Sequence, residues 1–117
     1  MIQIYHNNRC SKSRCALQYL EESKQPFEVV NYLQNPPSTS ELNELLLKLK
    51  LEPLDLVRKN ETMFKEQFKN KTLSRIEWIQ VLHENPILIE RPIVVGENSA
   101  LIARPPEMTL DFLKNNS

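Results

Sequence analysis

Apolar residues along this chain change their period several times, and each change marks a predicted element. Ile2, Ile4 and Tyr5 make a short apolar strand, and His6-Asn7-Asn8-Arg9 follows as a polar loop. Cys10-Ser11-Lys12-Ser13-Arg14 then reads as the opening turn of a helix that carries Leu17 and Leu20 to about Lys24, where Pro26 ends it. Phe27, Val29, Val30 and Tyr32 are β-branched or aromatic and predict a second strand. A strand, helix and strand within about 30 residues form a βαβ unit, with parallel strands and a right-handed crossover. Pro36-Pro37 closes this part of the chain.

The middle of the chain is helical in pattern. Ser38-Thr39-Ser40-Glu41 has the spacing of a capping box, and Leu42, Leu45, Leu46 and Leu49 fall on one face of the helix it starts, which predicts core packing. Pro53 separates that helix from a short helical stretch near Leu54 to Val57. Leu73, Ile76, Ile79 and Leu82 repeat the amphipathic spacing from a start at Thr72 or Leu73, with Trp78 flanking the face and Pro86 beyond the end. Arg91 to Ile102 has two short apolar runs around Gly96-Glu97-Asn98, the pattern of a hairpin. Pro105-Pro106 leads to a last helix with Met108, Leu110, Phe112 and Leu113, and the polar tail Lys114 to Ser117 is expected to fray. This order resembles an α/β domain of the thioredoxin-like fold: β-α-β, a helical insertion over about 38–85, then β-β-α. It implies one domain over 1–117 with a four-stranded mixed sheet.

Composition narrows the function classes. Fifteen basic and fifteen acidic residues cancel without a long run of either sign, so the electrostatic footprint of a nucleic-acid or acidic-membrane binder is missing. No apolar run approaches the roughly 18 residues of a membrane span, and the N-terminus lacks a charged-then-apolar leader pattern, which leads us to expect a cytoplasmic protein. A single glycine, Gly96, excludes phosphate loops of the P-loop or Rossmann kind. At 117 residues the chain can bury about two-thirds of its unfolded surface, with no need of a disulfide or metal. Two cysteines in a reducing compartment point to catalysis, sensing or plain burial rather than to a bridge.

Cys10 is the candidate nucleophile. The first N–H groups of a helix lack intrahelical partners and carry roughly +0.5 of a charge, which favours an anion there. Arg9, Lys12 and Arg14 add cations close in sequence, so the thiol pKa is expected to fall below its free value of about 8.5. The alternative is an inert cysteine packed as a small hydrophobe. Cys15 cannot readily pair with it: residues five apart in a helix lie roughly 8–9 Å between Cα atoms, and a disulfide needs about 4.4–6.8 Å. The position three residues on is Ser13, so the site reads as monothiol and requires an external thiol, with Cys15 expected to be buried. Arg58, Arg91 and Arg104 stand beside distinctive punctuation, and planar guanidinium forks suit tetrahedral oxyanions; in this topology Arg91 and Arg104 are expected at the ends of the paired strands, facing the Cys10 loop, where they would hold an oxyanion and keep the sulfur ionised. His6 is placed to hydrogen-bond the Cys10 loop, His83 suits a helix C-terminus, and Arg75 is expected on an exposed face without a role.

At these residues the chain resembles the glutaredoxin-coupled arsenate reductases. His6-Asn7-Asn8-Arg9-Cys10-Ser11-Lys12-Ser13-Arg14 is similar to their His-Asn-Pro-x-Cys-x-x-Ser-Arg opening, and Val57-Arg58-Lys59-Asn60 to their Arg-Lys-Asn segment. Pro86 to Val95 is similar to their Pro-Ile-Leu-Ile-x-Arg-Pro-Ile-Val-Val stretch, and Arg104-Pro105-Pro106-Glu107 to their Arg-Pro-x-Glu. The four matches occur in order and span nearly the whole chain. The resemblance implies Cys10 as nucleophile, Arg58, Arg91 and Arg104 as arsenate-binding residues, and His6, Ser13, Arg14 and Pro92 in support, with Pro92 packed near Cys10. It implies glutathione as co-substrate, glutaredoxin as partner, no bound cofactor or metal, and a monomer. Asn8 departs from the family proline, Cys15 is additional, and the length is that of the shorter members. Two other readings stay open: a thioredoxin-like redox regulator that binds RNA polymerase, and a general glutathione-linked thiol oxidoreductase. A tyrosine-phosphatase-like site is set aside, because Ala16 stands where its Cys-x5-Arg loop needs arginine.

Overall fold

The apolar residues at the N-terminus do form a strand. In a computed structural model that describes residues 1–115, β1 (Ile2–Tyr5) pairs in parallel with β2 (Phe27–Val30), and α1 (Ser11–Ser23) crosses between them. β3 (Ile93–Val95) pairs antiparallel with β1 on its other side, and β4 (Ala100–Ile102) antiparallel with β3, giving a mixed sheet in the order β2-β1-β3-β4. With α5 (Met108–Asn115) these elements make one of two compact units, Met1–Asn35 together with the segment from Arg91 onward. The other unit, Pro36–Glu90, contains the segment expected as a helical insertion.

The first unit buries Ile2 and Ile4 of β1, Ala16 and Leu20 of α1, Val94 of β3, and Phe112 and Leu113 of α5 in one cluster. Tyr32, expected in β2, lies just past it, fully buried and stacked on Tyr5 with ring centroids 6.3 Å apart. α1 ends at Lys24, whose left-handed φ of 62° closes the helix two residues before Pro26. Glycine is the usual residue at such a cap, and this chain uses lysine here and again at Lys50. On α5 the inward residues are Thr109, Phe112 and Leu113, while Met108 and Leu110 are exposed. Lys114 and Asn115, expected to fray, continue that helix, and Asn116 and Ser117 lie outside the described residues.

In the second unit α2 (Thr39–Leu49) starts on the expected capping box: Ser38 Oγ accepts from the Glu41 N–H at 3.1 Å, and Glu41 Oε1 accepts from the Ser38 N–H at 3.0 Å. Ser38→Ala is expected to cost about 1 kcal/mol, read as a lower urea midpoint at constant slope. A 3₁₀ turn over Pro53–Leu56 replaces the helical stretch expected at Leu54 to Val57, and α3 (Thr62–Gln67) has no counterpart in the sequence reading. α4 (Arg75–Glu84) begins later than expected, because Ser74 and Glu77 form a second capping box. That start turns Trp78, Ile79 and Leu82 inward and leaves Ile76 79% exposed, so the tryptophan rather than the isoleucine belongs to the core. Arg75, expected free on the surface, donates to Asn43 Oδ1 at 3.0 Å and lies 3.4 Å from Glu52. His83, in the last turn of α4, donates from Nδ1 to the Pro37 carbonyl at 2.7 Å.

Candidate active site

β1 delivers the chain to the site: the His6 N–H still bonds the Val30 carbonyl of β2 at 2.9 Å, and after it the backbone turns. Asn7 makes the turn. Its carbonyl accepts from the Cys10 N–H at 3.0 Å and its Oδ1 from the Arg9 N–H at 2.9 Å, the latter an Asx turn, which places Cys10 at the N-cap of α1.

Four side chains brace this loop from beneath. His6 is buried, with Nδ1 2.8 Å from Ser13 Oγ and Nε2 2.6 Å from Asn8 Oδ1. An amide oxygen only accepts, so Nε2 carries the proton; in the neutral ring Nδ1 then accepts from the Ser13 hydroxyl. Ser13 Oγ in turn accepts from the Asn7 N–H at 3.0 Å. Arg14 closes the outer side, donating to the Asn8 carbonyl at 2.7 Å. Asn8, which stands where the resembled family has proline, is thus held by hydrogen bonds at both its side chain and its backbone.

The half-buried Cys10 sulfur feels two opposed influences. Burial pulls its pKa up, and this is outweighed by the Ser13 backbone N–H, by the hydrogen bond and charge of the Arg91 guanidinium, and by the Lys12 backbone N–H, so the thiol lies below its ordinary value. Neither backbone N–H closes a regular cap hydrogen bond, and both act as helix-end dipoles aimed at the sulfur. Arg104 Nη2 stands 3.9 Å from Sγ, and its Nε donates to the Arg91 carbonyl at 2.6 Å. The cations at the sulfur therefore come from segments about 80 to 94 residues away, not from the neighbours Arg9, Lys12 and Arg14. Arg9 and Lys12 are exposed, and Arg14 is spent on the loop.

Pro92 is buried at the entry to β3, its bond from Arg91 is cis, and its carbonyl accepts from the Ala103 N–H at 2.9 Å. A second cis bond joins Arg104 to Pro105. Both prolines thus sit one residue after an arginine that reaches the sulfur. Arg58 belongs to the second unit, where its guanidinium lies 3.3 Å from Glu61 and 3.8 Å from Glu90. Cys15, expected buried, is partly exposed on α1. Asn7 is the site residue to which sequence reasoning gave no role, and its place two residues before a turn N–H is the Asx signal that could have found it, whereas Asn8 was noted only as a departure from the family proline. Among the described residues no group of three or more His, Cys, Asp or Glu side chains is gathered to hold a metal ion, and no helix is long and apolar enough to cross a membrane.

A half-buried thiol with a lowered pKa, set between a helix N-terminus and two guanidinium groups, can on ionising attack an electrophilic centre whose oxygens the arginines hold. Comparison with known proteins gives the same direction. A model of the ArsC family matches residues 5–112. The uncharacterized protein YfgD of Escherichia coli is 42% identical over 96% of each chain, and an arsenate reductase of Neisseria meningitidis is 41% identical over 91% of this chain and 92% of its own. Among solved structures, an arsenate reductase from Vibrio cholerae superposes with a TM-score of 0.88 at 40% identity, covering 94% of this chain and 95% of its own.

Proposed function

Because the chain belongs to the ArsC family, we propose that it is an arsenate reductase that works through a thiol-arsenate adduct on Cys10, with glutathione as co-substrate and glutaredoxin as partner. The observation that carries this reading is the meeting of Arg91 and Arg104 at the Cys10 sulfur. The thiolate attacks arsenic, an S–As bond forms, and one arsenate oxygen leaves as water after taking up protons. The two guanidinium groups hold the remaining oxygens and offset the charge that gathers on them. Glutathione displaces a second water from the adduct. Attack of a glutaredoxin thiolate on the glutathione sulfur then forms a mixed disulfide and leaves an electron pair on arsenic, and a water that attacks the resulting Cys10-bound As(III) breaks the S–As bond, supplies the third oxygen of arsenite and returns Cys10 as the free thiol. An external thiol is needed because Cys15 is five residues along the same helix, beyond disulfide reach. Arg58 stands in this reading as the third arsenate-binding residue that the resemblance implies, with Glu61 and Glu90 beside its guanidinium in the second unit.

The test is NADPH oxidation coupled through glutathione reductase, with arsenate, glutathione and glutaredoxin supplied. The expected result is turnover that stops when any one of the three is left out. A rate unchanged without arsenate would instead identify a general glutathione-linked oxidoreductase. Arg104→Ala is expected to lower kcat/KM by about 10²-fold in this assay, the order seen for loss of one oxyanion donor. Its effect combines the direct contact with sulfur and the lost support of the Arg91 carbonyl.

A further inference from the structure

The second unit carries a groove of about 530 Å³ in which an aromatic floor is ringed by lysines. Phe64 and Trp78 form the floor, nearly buried at 7% and 6%, with ring centroids 6.3 Å apart, and Phe68 adds a more exposed ring 6.1 Å from Trp78. Lys59, Lys65, Lys69 and Lys71 line the rim, all exposed, and no carboxylate lines it with them. Among the described residues none of the four is in an ion pair, whereas Arg58 and Arg75 of the same unit each have a carboxylate partner. Four unpaired cations on one groove are a local excess in a chain whose total charge is zero.

We propose that this groove docks an acidic peptide segment of a partner protein, with one aliphatic side chain seated on the aromatic floor. Charge complementarity selects an extended polyanion, because a small anion would engage one or two of the four lysines and leave the others repelling each other. Nucleic acid is the other extended polyanion, and the ring geometry disfavours it. Bases bind by stacking on exposed aromatic faces. Phe64 and Trp78 expose too little ring for a base to stack, though enough to meet the tip of one aliphatic side chain beside the more exposed Phe68, and Lys71 Nζ lies over the Phe68 ring, 5.2 Å from its centroid, where a base would stack. That contact also fixes one ammonium at the edge of the apolar floor, so it is positioned for a carboxylate before a ligand arrives. A cavity of this volume suits one or two buried side chains, with the rest of the segment lying across the rim.

Trp78 is the chain's single tryptophan, so its fluorescence reports binding directly in the full-length protein. The probes are a short glutamate-rich peptide with a central leucine, the same peptide with alanine for leucine, and a single-stranded oligonucleotide of similar charge. The leucine peptide is expected to give a saturable change that weakens as salt rises, with affinity about tenfold lower for the alanine peptide. Lys65→Glu with Lys69→Glu is expected to weaken the leucine peptide by about tenfold or more while leaving the circular dichroism unchanged, since both side chains are exposed. No saturable change, equal binding of the two peptides, or tighter binding of the oligonucleotide would overturn the proposal. None of these readouts depends on chemistry at Cys10.

Discussion

Cys10→Ser is expected to reduce arsenate turnover by at least about 10³-fold, to the level of the uncatalysed background, while Cys15→Ser retains most of the activity. A serine hydroxyl fits the same N-cap and keeps the loop intact, but it stays protonated at neutral pH and cannot form the S–As bond. Cys15 is partly exposed, about one and a half turns along α1 from Cys10. Steady-state rates of the two variants in the coupled assay are the measurement. Equal loss from both substitutions would overturn the monothiol assignment and require α1 to unwind so that the two sulfurs could meet.

Arg91→Ala has the second largest expected effect, a fall in kcat/KM of about 10³-fold, because this one guanidinium serves two purposes. It hydrogen-bonds the sulfur and lowers its pKa, and it is placed to hold an oxygen of the oxyanion. Its removal leaves burial less opposed, so the thiol pKa rises and the thiolate fraction at neutral pH falls. The sign for stability follows. The folded pKa lies below that of the unfolded thiol, so the ionised sulfur stabilises the fold above the unfolded value, and this contribution is lost as pH falls through the folded one. The variant is expected to lose the share of that pH-dependent part which Arg91 supplies, while the Ser13 and Lys12 backbone N–H groups keep theirs. Arsenate affinity and thiol titration measured on the same protein separate the two effects, and no change in either would remove Arg91 from the site.

The strands and their order along the chain were legible because each strand is a short apolar run bounded by a turn or proline, and the βαβ unit admits one hand, whereas the order β2-β1-β3-β4 within the sheet comes from the structure. The Ser38 to Glu41 box was read correctly, and the identical Ser-x-x-Glu spacing at Ser74 and Glu77 was not. Apolar spacing alone set the start of α4 too early and put Ile76 in the core. α3 was missed because six residues carry too little periodicity to stand out, and its Phe64 gains its place from Trp78, which lies on another helix. At the site, Cys10 was legible from its position between strand and helix. Its cations were expected both from the sequence neighbours Arg9, Lys12 and Arg14 and from Arg91 and Arg104 at the strand ends, and only the second set reaches the sulfur, because closeness in sequence is not closeness in space. Arg9, Lys12 and Arg14 project from the loop and the outer side of the helix, and the sulfur faces the ends of the β3–β4 hairpin instead. The bracing through Asn8 could not be read from a loop pattern, since it depends on a buried histidine below it.

The central claim is that Cys10 is held as a thiolate by the helix end and Arg91. The pH dependence of its alkylation by iodoacetamide, followed in a Cys15→Ser background so that a single sulfur reacts, tests this most directly. The claim predicts a half-maximal rate at a pH below the free-thiol value of about 8.5, moving upward in Arg91→Ala. A midpoint at or above that value, unmoved by the substitution, would contradict it.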